Sequence, residues 1–152
     1  MNNLITYTKS ILIPVVLGSI IGFITQNSID FNSLIKPIFA PPAILFPIVW
    51  SILYVLMGFS YGILKSKNLA NDKINKIYYL QLFVNLFWSI IFIVFKWRLF
   101  AYLWILFLVV LVIIMIKEFY EKNKTAGLLQ LPYLIWISFA SVLNLSIYFL
   151  NK

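Results

Sequence analysis

Residues 36–58 read KPIFAPPAILFPIVWSILYVLMG. Four prolines, Pro37, Pro41, Pro42 and Pro47, precede or open a long apolar run. Proline fixes φ and lacks an N–H, so it suits an extended loop and a first helical turn. The stretch therefore predicts a stiff loop that drops into a membrane helix. Trp50, Tyr54 and Gly58 follow one another at a spacing of four, which stacks them on one helix face. That face fits a ligand wall and ordinary packing aromatics equally well.

Working outward, the whole chain shares this character. Its 152 residues are 63% hydrophobic and 11% charged, with mean hydropathy +1.00. A soluble domain of this length keeps too much wet surface to hide such a composition. The fold expected is all-α, a single integral membrane domain over residues 1–152. Stretches of about 17–25 mainly apolar residues can cross a bilayer as helices. Five are present, at residues 5–26, 43–64, 74–95, 99–116 and 128–150. Residues 5–26 begin like a secretory leader, but no small-residue cleavage pattern follows, so they are expected to remain as a span. All five must be helices, because hydrocarbon offers no partner to an unpaired backbone group. The turn Lys96-Trp97-Arg98 is short enough to make the third and fourth spans antiparallel neighbours.

Charge sets the expected orientation. Of the twelve Lys and Arg residues, Lys9, Lys65, Lys67, Lys73, Lys76, Lys117, Lys122 and Lys124 fall on one side of the five spans. Lys36, Lys96, Arg98 and Lys152 fall on the other. The positive-inside rule then puts the N-terminus in the cytoplasm of a cell membrane and the Pro-rich loop outside. The net charge of +8 is read as loop lysines facing anionic membrane lipid rather than nucleic acid.

Several chemistries lack their residues. Cysteine and histidine are absent, which removes disulfides, thiolate catalysis and the common metal and haem ligands. No metal site and no cofactor is expected. The interiors of the spans carry no ionisable residue, so neither a proton-coupled carrier nor an acid–base pair is foreseen. Aromatic and amide groups remain. Gln81, Asn85 and Trp88 lie inside the third span, and Trp136 and Asn144 inside the fifth. A buried amide here is either interhelical glue or a polar contact in a pocket. Trp97 and Trp104 suit an interfacial belt, whereas Trp50 and Trp136 lie deeper and suit a flat apolar ligand. Two GxxxG motifs, Gly18–Gly22 and Gly58–Gly62, permit close helix approach, in a homodimer seam or within one bundle.

Three blocks carry a resemblance. The first is Lys36-Pro37, Pro41-Pro42, Phe46-Pro47-Ile48-Val49-Trp50, Leu53-Tyr54 and Met57-Gly58. The second is Gln81-Leu82, Asn85, Trp88 and Phe92; the third is Leu131-Pro132-Tyr133-Leu134, Trp136, Phe139-Ala140 and Val142-Leu143-Asn144. In order and coverage the chain resembles the translocator protein / tryptophan-rich sensory protein (TspO) family, also known as the peripheral-type benzodiazepine receptors. It departs at Ile44, where the family usually has Trp, and at Leu145-Ser146, where sterol-binding members carry aromatic residues.

The resemblance implies a five-helix bundle, often a homodimer, with a pocket closed by the first loop. It implies a receptor for porphyrins such as protoporphyrin IX, or for isoquinoline and benzodiazepine-type molecules. The implied ligand-binding residues are Phe46, Pro47, Trp50, Asn85, Trp88, Trp136, Ala140 and Leu143. It also implies two alternatives. One is light-dependent porphyrin degradation with Trp50 and Trp136 as the reacting residues. The other is passive transport of tetrapyrroles or lipids.

Overall fold

The computed structural model describes residues 2–152 as a bundle of helices, with no strand among the described residues. The long elements are α1 (Asn2–Thr25), α2 (Leu45–Ser66), α3 (Asp72–Ser89), α4 (Arg98–Lys122) and α6 (Leu131–Leu150). A single-turn helix, α5 (Lys124–Leu128), leads into α6. Five segments are long and apolar enough to cross a membrane: Asn2–Ser28, Leu45–Ser66, Asp72–Phe95, Arg98–Lys122 and Lys124–Leu150.

Helix ends follow local chemistry. Asn71 caps α3 by accepting from the Ile74 N–H at 2.9 Å, and Asn123 caps α5 by accepting from the Ala126 N–H at 3.0 Å. At the start of α2, Pro47 sits where the helix has no use for its missing N–H. Most span ends shift by one to three residues from those expected, and two differences go further. α4 runs on to Lys122 instead of stopping near residue 116, because its last turns are good helix formers that need not end where hydrocarbon ends. After Ser89 the third span widens into a π-helical segment, Ile90–Phe95, that closes on a left-handed Lys96 (φ 58°).

Glycine sets the closest helix pair. α1 packs chiefly on α2, and α4 packs on α3 and α6. A Cβ built on Gly58 would lie 2.4 Å from the Ser10 carbonyl oxygen and 2.5 Å from Ile11 Cα. Pro14 has no N–H to give that carbonyl, so the proline that interrupts α1 frees the group that meets Gly58. A Cβ on Gly62 would lie 2.8 Å from the Tyr7 ring, and one on Gly18 would lie 2.4 Å from the Tyr54 ring. The Gly58–Gly62 motif is thus consumed inside the bundle, and so is Gly18.

The bundle is packed unevenly along its length. At the end bearing the α2–α3 turn, Met57, Leu64, Ile74, Tyr78, Met115, Phe119 and Tyr133 are almost wholly buried. Tyr61 stacks on Tyr78 there with ring centroids 4.0 Å apart, and Ser60 Oγ donates to the Ala126 carbonyl at 2.6 Å. The opposite end, beneath the α1–α2 loop, is hollow.

Candidate functional site: an aromatic cavity under the first loop

The cavity encloses about 540 Å³. Four long helices and the loop wall it. α2 brings Phe46, Pro47, Trp50 and Tyr54; the third span brings Trp88 and Phe92; α6 brings Ala140, Leu143 and Asn144. α1 contributes Val15 and Ile21 with smaller residues, among them Gly18, Gly22 and Thr25. Nothing would lie within 4 Å of a Cβ on Gly22, so that glycine faces open space.

A layer of hydrogen bonds forms the floor. The Tyr54 hydroxyl donates to Asn85 Oδ1 at 2.8 Å, and Asn85 Nδ2 donates to the Tyr133 hydroxyl oxygen at 2.7 Å. Tyr133 in turn donates to Gln81 Oε1 at 2.8 Å, and Gln81 Nε2 reaches the Met57 sulfur at 3.5 Å. Each group has a partner at membrane depth, where an unpaired one is expensive. Of these residues only Tyr54 borders the cavity. Trp50 stacks on it (centroids 5.6 Å) and meets the edge of Tyr133 (6.3 Å).

A second polar chain climbs the wall. Trp88 Nε1 donates to Asn144 Oδ1 at 3.1 Å, and Asn144 Nδ2 donates to the Arg98 carbonyl at 2.8 Å. Arg98 Nη2 then bonds both carboxylate oxygens of Asp30, at 2.9 and 3.0 Å. Lys96 Nζ stands 3.5 Å from the same carboxylate. Partial burial pushes the Asp30 carboxyl up, but the Arg98 hydrogen bonds and charge, with Lys96, outweigh it and hold the group below its ordinary value. A second tie pins the loop to the C-terminus: Asn151 accepts from the Ile35 N–H at 2.9 Å and donates to the Ile35 carbonyl at 2.8 Å.

The eight residues implied for the site divide. Phe46, Pro47, Trp50, Trp88, Ala140 and Leu143 line the cavity together. Asn85 lies beneath the lining, in the floor. Trp136 lies in a shallow apolar groove on the outer side of α2 and α6, with Pro41, Leu45, Val49 and Phe139. It touches the cavity wall through Phe46, whose ring centroid is 5.7 Å away. Of the two residues implied to react, Trp50 therefore faces the cavity and Trp136 packs behind it. Trp97 is well exposed, whereas Trp104 turns inward and donates Nε1 to the Val84 carbonyl at 2.8 Å.

Sequence reading missed Asp30, Arg98 and the α1 wall. Asp30 is one of only four acidic residues, and Arg98 is the sole arginine, so their rarity was the available signal. Nothing in the run of small and aliphatic α1 residues distinguishes Gly22 as facing a cavity.

The sequence profile of the TspO/MBR family matches residues 10–150. The tryptophan-rich protein TspO of Archaeoglobus fulgidus is 37% identical over 98% of this chain and 99% of its own length. The translocator protein homolog of Schizosaccharomyces pombe is 30% identical over 92% of this chain and 88% of its own. The tryptophan-rich sensory protein of Cereibacter sphaeroides is 30% identical over 80% of this chain and 76% of its own. With five membrane-spanning helices and a match of this extent, the chain is a multi-pass membrane protein of the TspO/MBR family.

Proposed function

We propose that this protein is a membrane receptor whose cavity binds a planar apolar molecule of the porphyrin class. The cavity carries the reading. Its volume of about 540 Å³ falls within the roughly 300–1,000 Å³ of small-molecule sites. Its walls include the indole faces of Trp50 and Trp88 and the phenyl rings of Phe46 and Phe92, which stack on flat conjugated rings. The relatives named sensory and translocator proteins support a binding role over a structural one.

A photochemical reading has one observation in its favour. Trp50 faces the cavity, so its indole would adjoin a bound, light-absorbing ring. Chemistry there would belong to the excited ligand, with the protein as its scaffold.

Titration of the detergent-solubilised protein with protoporphyrin IX in the dark, followed by tryptophan fluorescence, tests the first reading. Saturable quenching that weakens in Trp50→Ala and Trp88→Ala is the expected result. Quenching that never saturates would remove the porphyrin class. Illumination of the saturated sample tests the second. A new absorbing product that is lost in Trp50→Phe, with binding retained, supports degradation; bleaching equal to that of free porphyrin rules it out.

A further inference from the structure

A molecule can reach the cavity past the loop above it or between the helices beside it. The loop is tied down. Arg98 holds Asp30 through two bonds, and Asn151 holds Ile35 through two more. The seam between α1 and α2 is tied only towards the solid end. There Tyr7 stacks on Phe59 (ring centroids 5.3 Å), and the Ser66 hydroxyl donates to the Tyr7 hydroxyl oxygen at 3.2 Å. Gly62, Gly58 and Gly18 bring the two helices together along the same stretch. Beyond Gly18 the seam opens: nothing lies within 4 Å of a Cβ built on Gly22. The hydroxyls of Ser19, Thr25 and Ser51 bond only within their own helices.

Three residues edge this gap, Ser19 and Gly22 on α1 and Ser51 on α2. Each lines the cavity, and each is also exposed. Helical spacing shows what the serines are exposed to. Ser19 lies one turn from Val16 and one turn from Phe23; Ser51 lies one turn from Ile48 and one turn from Val55. All four neighbours are exposed apolar side chains on spanning segments, so the two serines border the faces that meet hydrocarbon. Large side chains at these positions would wall the cavity off, and serine and glycine leave it open. A hydroxyl at membrane depth needs a partner. Ser19 Oγ donates to the Val15 carbonyl and Ser51 Oγ to the Pro47 carbonyl, each at 2.7 Å. Hydroxyls turned onto their own backbone present no unpaired group to a passing apolar molecule.

We infer that the cavity is loaded sideways from the bilayer, through a slot between α1 and α2 edged by Ser19, Gly22 and Ser51, while the loop stays shut. The two routes differ in cost. Passage under the loop breaks the Asp30–Arg98 pair and both Asn151 bonds, whereas passage through the slot breaks no hydrogen bond between α1 and α2. The slot also opens onto the phase in which an apolar ligand concentrates. α1 is clamped to α2 from Tyr7 to Gly18, so its cavity end can lean outward about that clamp. The inference rests on the planar-ligand reading above and adds to it the route and the residues that bound it.

The chain has no cysteine, so engineered pairs can be linked without side reactions. Ser19→Cys with Ser51→Cys, joined by a short bis-maleimide, closes the slot. Ile35→Cys with Asn151→Cys, joined in the same way, pins the loop. The protein is placed in phosphatidylcholine vesicles and mixed in the dark with protoporphyrin IX. Tryptophan quenching should slow about tenfold or more in the slot-linked protein relative to the same protein unlinked. It should keep its rate in the loop-linked protein. Ser51→Phe narrows the slot without a link and should slow quenching in the same direction if the first pair does not join. An unchanged rate with the slot closed or narrowed, or a loop link that slows quenching as much, would overturn the inference; saturable quenching would still uphold the planar-ligand reading. If the unlinked protein does not saturate, the planar-ligand reading fails, and Gly22→Cys judges the slot without that ligand. In intact vesicles it should react with bilayer-soluble pyrene maleimide and not with a membrane-impermeant sulfonated maleimide. Reaction with neither reagent, or with the sulfonated one at least as readily, would overturn the slot.

Discussion

An alanine at position 58 would bring its Cβ to 2.4 Å from the Ser10 carbonyl oxygen, 2.5 Å from Ile11 Cα and 2.9 Å from Ile11 N. Ordinary contact needs about 3.5–4.0 Å, so α1 must withdraw from α2 by about 1 Å. All three opposing atoms are backbone, and no side-chain rotation relieves them. Overpacking of this kind costs about 1–3 kcal/mol, of which alanine's better helix propensity returns about 0.5–1 kcal/mol. A net loss of about 1–2 kcal/mol corresponds to a fall of roughly 2–8 °C in Tm on the scale of soluble domains. Gly22→Ala is the matched control, because no atom lies within 4 Å of its added Cβ. It should be neutral or slightly stabilising. Thermal unfolding of both variants in one detergent, followed by tryptophan fluorescence, provides the comparison. The α1 wall of the cavity moves with the helix, so Gly58→Ala should also weaken porphyrin quenching. A Gly58→Ala protein as stable as wild type, or a Gly22→Ala protein that loses as much, would refute the packing argument.

Asn85→Ala should cost about 2 kcal/mol, chiefly because the Tyr54 hydroxyl is left unpaired in the floor. Tyr54→Phe in that background should then cost little more; additive losses in a double-mutant cycle would deny the bond. The Asp30–Arg98 tie should fail only in acid. Asp30 is held below its ordinary value, so the loop closure it contributes is complete above the ordinary carboxylate range, near pH 4, and is lost as pH falls through the lowered value. Hydrogen exchange of the amides at 29–36, corrected for intrinsic rate, should therefore be flat above about pH 5 and rise below about pH 4; a rise near neutrality would contradict the pairing. Asn151→Ala should speed proteolysis of the loop while leaving Tm almost unmoved, since the two bonds it removes at Ile35 are exposed. An unchanged cleavage rate would show that Asn151 does not hold the loop.

The five spans were legible because hydrocarbon admits one solution, a helix of sufficient apolar length. On α2 only a shared helix face was legible, open alike to a ligand wall and to ordinary packing. Trp50 and Tyr54 repeat at helical spacing behind a proline-stiffened start, and the structure places both on the hollow side. Whether Asn85 was glue or a ligand contact could not be read from spacing, because the answer depends on the rotation of α3 about its axis. The structure turns it towards Tyr54 and Tyr133, below the lining. Spacing could not place Trp136 for the same reason: the rotation of α6 directs it towards the outer groove. The π-helical widening at Ile90–Phe95 contains neither proline nor glycine and leaves no local signal. Asp30 and Arg98 lie 68 residues apart, and their pairing is a product of topology alone.

The uneven packing separates two roles along the helix axis. Glycines and stacked rings fill the end near the α2–α3 turn: Gly58 and Gly62 admit α1, and Tyr61 closes on Tyr78. The end beneath the loop pairs large aromatic walls with residues too small to reach across, Gly22, Ser51, Ser89 and Ala140. Filling there would stabilise the bundle but abolish the cavity, so stability must come from the solid end. Substitutions should sort accordingly. Those in the solid end should lower Tm and disturb binding only through helix displacement. Those that fill the hollow end, such as Ala140→Phe, should block the ligand at little cost to Tm. The Tyr54–Asn85–Tyr133 layer lies between the two ends and belongs to both, because its hydrogen bonds hold the helices together while Tyr54 supports the Trp50 face. It is the one place in the bundle where a loss of stability and a loss of binding should appear together without any helix having moved.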